Sequence, residues 1–317
     1  MKIQLVTPAP LDLNNGNKIT ALRWAAILKK LGHRVKVSQR YDSEVCDLLI
    51  ALHARRSADS IQSFRNLHPE LPLIVVLTGT DLYRDIRRDH KAKQSLELAT
   101  RLVVLQRMAL AELPRHLRAK TQVIYQSAEA YRLKPAARAT AGFKVCVIGH
   151  LREEKDPLRT ALAVRRLPSK SRIEVTHIGL ALNEQLGKRA KAEARQNLRY
   201  RWIGHLSHRK TRAILARSHL ACITSKMEGS SNVLSEALAS GVPVVASRIP
   251  GLMGTLGKNF LGYFPVGNTS QLMRLLVKAE TDRHFYRALK RQCARVAHVV
   301  QPKRELADWK RLLQKLA

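Results

Sequence analysis

Glu228 and Glu236 stand eight positions apart in the stretch EGSSNVLSE, with Gly229, Ser230, Ser231, Asn232, Val233, Leu234 and Ser235 between them. Carboxylates accept hydrogen bonds from sugar hydroxyls, and small residues at the start of a helix turn their amides toward an anion. The preceding run LACITS reads as a strand ending at Ser225, so a helix should start near Ser231 or Asn232, both good caps. It should stop at Gly241, a natural residue just past a helix end, with Pro243 beyond. Glu228 then lies in the loop and Glu236 in the first turn and a half of the helix. The N–H groups of Gly229, Ser230, Ser231 and Asn232 would converge there as an anion site, and Gly229 would let a ligand approach the main chain. Each carboxylate alone has a plainer explanation: Glu236 complements a helix dipole and Glu228 is a solvated loop residue. Together they would repel a bare phosphate. A nucleotide sugar removes the conflict, with Glu228 accepting from the sugar, Glu236 from the ribose, and the diphosphate on the amides between.

A second loop, VCVIGHLREEKDP, follows another strand and carries Gly149, His150, Arg152 and Lys155. Cations placed at a departing diphosphate stabilise the charge that develops there. The plainer alternative pairs Arg152 and Lys155 with Glu153 and Glu154. No Asp-x-Asp sequence of the kind that holds a divalent ion is present, so neither a metal nor another cofactor is expected. Three strand-end loops in the first half are also rich in polar groups. The first holds Asn15, Gly16 and Asn17 ahead of a helix capped near Asn17; the second holds His53, Arg55 and Arg56 before a cap at Ser57; the third holds Thr78, Gly79, Thr80 and Asp81. Paired guanidinium forks suit a small anionic acceptor.

These loops need strands and helices to position them. KIQLVT, RVKVSQ, DLLIALH, LPLIVVLT, RLVVLQ and TQVIYQ read as strands of the first half, alternating with helical stretches such as KITALRWAAILKKLG. FKVCVIG, IEVTHIG, LRYRWIG, LACITS, VPVVAS and LGYFPV repeat the rhythm in the second. Unbroken apolar strands followed by helices indicate parallel sheets covered on both faces. The expected fold is α/β, with two doubly wound Rossmann-like domains facing across a cleft and ligands beyond the carboxyl ends of the strands. The polar stretch Arg132–Gly142, with Pro135, marks the boundary. An acceptor domain is expected over 1–135, a nucleotide-sugar domain over 142–297, and over 298–317 an amphipathic helix able to cross back to the first.

A chain of 317 residues, 45% hydrophobic, fits two domains. Its 57 Lys and Arg against 24 Asp and Glu give a formal charge of +33, which asks for an anionic partner. The basic residues are scattered, with few aromatics and no helix-turn-helix, zinc or RNA-binding signature, which argues against a specific nucleic-acid binder. Cys46, Cys146, Cys222 and Cys293 stand far apart and read as buried free thiols of a cytoplasmic protein. No signal peptide is visible and no run reaches the about 18 apolar residues of a membrane span, so membrane contact is expected to be peripheral at most.

Glu228-x7-Glu236 followed by ALASGVPVVAS resembles the signature of family-4 glycosyltransferases, which have the GT-B fold. The resemblance implies that Glu228 contacts the donor hexose and Glu236 the ribose, with Gly229 to Val233 lining the donor. It implies that Lys155, together with an arginine after Gly149, holds the diphosphate. Here His150 stands in the arginine's place and Arg152 supplies the nearest guanidinium, while Ser230 and Ser231 replace the Phe-Gly often found after the first Glu-Gly. WIGHLSHRK resembles the segment whose backbone meets the base, which places Leu206 at the donor. GNKITALRWAAIL, DLLIALHARRSADSI, LTGTDLYRD, VIYQSA and GHLREEKDP look like the bacterial selenosugar synthases of selenoneine biosynthesis over nearly the whole chain. That resemblance implies a UDP-sugar, typically UDP-N-acetylglucosamine, and selenophosphate as substrates, with downstream pathway enzymes as partners. The alternatives are a family-4 enzyme acting on an envelope or lipopolysaccharide acceptor, and a non-catalytic basic protein that binds nucleic acid.

Overall fold

The computed structural model describes residues 1–8, 16–131 and 142–316; Asn15 and the expected boundary up to residue 141 lie outside the described residues. The chain divides into two compact units. One comprises Met1–Ser127, Glu228–Asn232 and Pro302–Ala317; the other comprises Ala128–Met227 and Val233–Gln301.

The first unit runs β1 (Lys2–Val6), α1 (Gly16–Lys30), β2 (Arg34–Ser38), β3 (Leu48–Leu52), α2 (Ala58–Leu67), β4 (Leu73–Leu77), α3 (Ile86–Arg88), α4 (His90–Leu98), β5 (Arg101–Val104), α5 (Arg115–Arg118) and β6 (Thr121–Val123). The six strands form one parallel sheet in the order β2-β1-β3-β4-β5-β6. β3 (LLIAL) and β4 (LIVVL) are buried at every position because helices cover both sheet faces. Two apolar clusters fill those faces, one around Phe64, Leu82 and Leu102, the other around Trp24, Ile50 and Trp309.

The second unit runs β7 (Phe143–Ile148), α6 (Arg159–Val164), β8 (Ile173–Ile178), α7 (Glu184–Gln196), β9 (Tyr200–Trp202), α8 (His208–Arg217), β10 (Leu220–Ile223), α9 (Asn232–Ala239), β11 (Val244–Ser247), α10 (Pro250–Leu256), β12 (Tyr263–Phe264), α11 (Thr269–Thr281) and α12 (Arg283–Val296). Its parallel sheet has the order β12-β11-β10-β7-β8-β9. That is the dinucleotide-binding order, whereas the first unit has the flavodoxin-like order, in which the chain reverses direction between β1 and β3. All four cysteines are free and buried. Among the described residues no helix is long and apolar enough to cross a membrane.

The last helix, α13 (Pro302–Gln314), packs within the first unit. Trp309 meets Trp24 edge to face at 4.8 Å between ring centroids. Beside them Glu305, fully buried, accepts from Trp24 Nε1 at 2.6 Å, Arg23 Nε at 3.0 Å and the Ser127 amide at 3.1 Å, and also from the Ser127 hydroxyl. Deleting this carboxylate strands several donors and the Arg23 charge, whose side chain is only 19% exposed. Glu305→Ala is expected to lower the unfolding free energy by about 3 kcal/mol. Glu305→Gln should recover part of it, because an amide oxygen still accepts from Trp24. Urea denaturation reads both, and a midpoint equal to the parent's would show that the carboxylate is dispensable.

Candidate functional site

In the second unit the chain runs outward from β7 through β8 and β9, then returns to the other side of β7 as β10. Loops leaving β7 and β10 therefore start at the carboxyl ends of two adjacent strands, where open parallel sheets receive ligands. The two loops are knit together. Thr224 Oγ1 donates to the carbonyls of Lys155 and Asp156 at 2.9 and 3.0 Å, and the Lys226 amide donates to Glu154 O at 2.8 Å. Asp156 takes the left-handed conformation (φ 43°) and its carboxylate holds Arg159 at 2.8 Å. The Lys155 stem lies across Gly149: a Cβ placed on that glycine would stand 3.8 Å from Lys155 Cγ and Cδ. Arg152 is exposed and makes no ion pair among the described residues, so its pairing with Glu153 or Glu154 is not formed.

His150 is stitched down by a backbone donor, since the Leu180 amide points at its Nδ1 at 3.0 Å. An N–H can only donate, so Nδ1 carries the lone pair, the proton sits on Nε2, and the imidazole is neutral while that bond stands. Beneath it His177 is fully buried, with Nε2 donating to Gly149 O at 3.0 Å and Nδ1 accepting from Tyr200 OH at 2.8 Å. Burial pushes its pKa down to about 4, which keeps this ring neutral as well. The neighbouring strand end fits closely: a Cβ on Gly179 would sit 2.0 Å from Gly149 O, so only glycine is accommodated. Trp202 Nε1 donates to Gly179 O at 2.8 Å. Trp202 opens the stretch WIGHLSHRK, whereas His177, Gly179 and Tyr200 leave no trace in the sequence beyond the strand endings HIG and WIG.

α9 begins at Asn232, and Gly241 (φ 69°) ends it in a left-handed cap. The Val242 and Gly241 amides return to the carbonyls of Ala237 and Leu238 at 2.9 and 3.2 Å, the paired bonds of a Schellman end. Glu236 is buried on this helix and accepts from His208 Nε2 at 2.8 Å. Glu228 is buried too, which removes the solvated-loop explanation. Ser231 is buried, Ser230 and Val233 are half-buried, and Val233 and Leu206 pack against the second unit's core. The role expected of Gly229 changes. A Cβ there would meet the Thr78 carbonyl oxygen at 2.2 Å, so the close approach it permits is to protein backbone rather than to a ligand. The Asn232 side chain is engaged as well, accepting from Arg23 Nη1 at 3.1 Å and donating to Gly16 O at 3.3 Å.

In the first unit, α1 starts at Gly16, so Asn17 lies inside its first turn rather than capping it, and the Gly16 carbonyl accepts from Thr20 Oγ1 at 2.8 Å. Ser57 does not cap α2 through its side chain. Its hydroxyl donates instead to Leu52 O at 2.7 Å, because the chain doubles back at His53. His53 is buried, holds a left-handed backbone (φ 73°) and shares a hydrogen bond with Thr80 Oγ1 at 3.0 Å. For a residue with a side chain that backbone is strained, a feature concentrated at functional sites. Asp81, fully buried, opens a single π-helical turn over Asp81–Asp85 and accepts from the amides of Ala54, Thr78 and Gly79 at 2.8–3.0 Å. Its carboxylate therefore fixes the two loops. Arg55 is paired with Asp89 at 2.9 Å, while Arg56 is exposed without an ion pair among the described residues. Asp85, unmarked in the sequence, keeps Oδ2 buried without a hydrogen-bond partner, 4.0 Å from His53 Nε2. Among the described residues no group of three or more His, Cys, Asp or Glu could hold a metal ion.

Two parallel six-stranded sheets flanked by helices make an α/β fold of GT-B type, and solved structures bear this out. The Anabaena protein HepE in complex with UDP is similar with a TM-score of 0.77 at 15% identity, over 100% of this chain and 99% of that one. Sucrose-phosphate synthase from Thermosynechococcus elongatus gives 0.79 at 16%, over 99% and 98%. The pneumococcal O-GlcNAc transferase GtfA in complex with UDP and GlcNAc gives 0.68 at 16%, over 93% of this chain and 60% of that one. The family model for glycosyl transferases group 1 matches residues 133–295, just over half of the chain. The chain belongs to that family.

Proposed function

We propose that the protein is a cytoplasmic, metal-independent UDP-sugar transferase that forms a carbon–selenium bond between the sugar, typically N-acetylglucosamine, and selenophosphate. In this reading the loops after β7 and β10 take the donor. The selenium lone pair forms the bond to the anomeric carbon while the carbon–oxygen bond to the diphosphate breaks and its electron pair leaves with UDP. Lys155, with Arg152 on the same loop, opposes the growing negative charge, and His150 donates through Nε2–H. Glu228 accepts from sugar hydroxyls and Glu236 from the ribose. The observation that most supports the donor assignment is the Lys155 stem lying across Gly149 at the strand-order switch between β7 and β10.

For the acceptor, the first unit supplies polar strand-end loops around His53, Thr78, Thr80 and the exposed Arg56, which suit a small anion. Asp81 positions those loops and Arg55 stands one residue from Arg56. Selenium in selenophosphate is already nucleophilic, so no strong general base is required. The test is to incubate the protein with UDP-N-acetylglucosamine and selenophosphate and read the products by mass. A selenium-containing sugar released together with UDP is the expected result. Intact UDP-sugar binding with no such product would move the assignment to an envelope acceptor.

A further inference from the structure

Glu236 is a carboxylate held mostly out of water, its side chain 10% exposed, and it accepts from the imidazole of His208, itself 53% exposed. The two residues come from different helices. Ser207 caps α8, accepting from the Lys210 amide, so His208 is the first residue of that helix and its backbone is fixed. Glu236 sits in the second turn of α9 with its carboxylate Oε1 at 2.8 Å from His208 Nε2.

We infer that His208 is a positioning residue of the nucleotide site: its Nε2–H locks the Glu236 carboxylate so that both oxygens are presented to a vicinal diol. This inference rests on the reading of Glu236 as the ribose ligand. A glutamate has three rotatable bonds, and without a fixed partner its carboxylate must be immobilised when the ligand arrives. A hydrogen bond already made in the free protein removes that cost, which is preorganisation. The imidazole uses one lone-pair direction of Oε1. The other direction on Oε1, and Oε2 as a whole, suit two hydroxyls on neighbouring carbons, the 2′ and 3′ positions of a ribose. His208 would thus set how strongly the site prefers a ribonucleotide to a deoxyribonucleotide, without itself touching the ligand.

The test titrates UDP and its 2′-deoxy and 3′-deoxy analogues into the parent protein, His208→Ala, His208→Gln and Glu236→Ala. In the parent, removing either hydroxyl should weaken binding about tenfold, the size of one good hydrogen bond. In His208→Ala, UDP itself should bind about tenfold more weakly and the deoxy penalty should shrink to below about threefold. His208→Gln, whose amide N–H reaches a similar place, should restore most of both. A purely structural role would weaken all three nucleotides equally and leave the penalty intact, and that outcome overturns the inference, as does UDP binding to His208→Ala at parental strength. If the parent neither binds UDP nor distinguishes the deoxy analogues while Glu236→Ala behaves identically, the nucleotide reading itself fails, a result separable from failure of the His208 role alone.

Discussion

Lys155→Ala is expected to lower kcat by about a hundred- to a thousandfold, the range seen when one preorganised charge partner of a developing anion is removed. Where the family resemblance implies an arginine, the chain has His150, and the Leu180 amide at its Nδ1 makes that ring a neutral donor. A neutral N–H stabilises a leaving diphosphate less than a guanidinium does, so the full positive charge must come from Lys155 and the exposed Arg152. Lys155 is the better placed of the two, because its carbonyl is tied by Thr224 and its stem rests on Gly149. The ground-state diphosphate is already charged, so UDP affinity should fall as well, but by no more than about tenfold, since the interaction strengthens as the glycosidic bond breaks. Single-turnover measurement of UDP release at saturating donor reads the chemical step. A rate within a few-fold of the parent's would transfer the role to Arg152.

Much of the scaffold can be read from the residues alone, because strands buried on both faces leave runs such as LLIAL and LIVVL that need no partner to be recognised. The order in which they pair cannot be read that way. Nothing in the pattern distinguishes β2-β1-β3 in the first unit from the dinucleotide order of the second, since both orders demand the same apolar strands. Local devices were similarly hidden. α10, PGLMGTL, contains two glycines that weaken any helix, and packing rather than propensity forms it. The π-helical turn at Asp81–Asp85 adds a residue to a turn, which no regular spacing reveals.

The candidate site divides along the same line. Its loops are legible, because each follows an apolar strand and precedes a helix start. Their internal bonds are not. Ser57 has the composition of a cap and Asp81 that of a ligand-facing acid, yet each is consumed by backbone: Leu52 O for the first, three amides for the second. The His177–Tyr200–Gly149 chain depends on the register that sets Val147 beside His177 and His177 beside Trp202. Register is a property of two strands at once, and so it lies outside what either strand's pattern contains.

Glu236→Ala is expected to weaken UDP binding by about ten- to a hundredfold, because a charge-assisted hydrogen bond contributes about 1.5–3 kcal/mol and a ribose diol makes two such bonds that share one immobilised carboxylate. Stability should barely move, and the contrast with Glu305 explains why. Removing Glu305 leaves a mostly buried guanidinium without its carboxylate, whereas removing Glu236 leaves His208, a group that already has half of its side chain in water. Binding and folding are therefore expected to separate: an almost unchanged melting temperature alongside a large loss of nucleotide affinity. Inorganic pyrophosphate supplies the internal control, since it lacks a ribose and should bind the variant within about twofold of the parent if its ligands are backbone amides and Lys155. UDP affinity equal to the parent's would remove Glu236 from the donor site, and an equal loss for UDP and pyrophosphate would show that the substitution had disturbed the diphosphate loop instead.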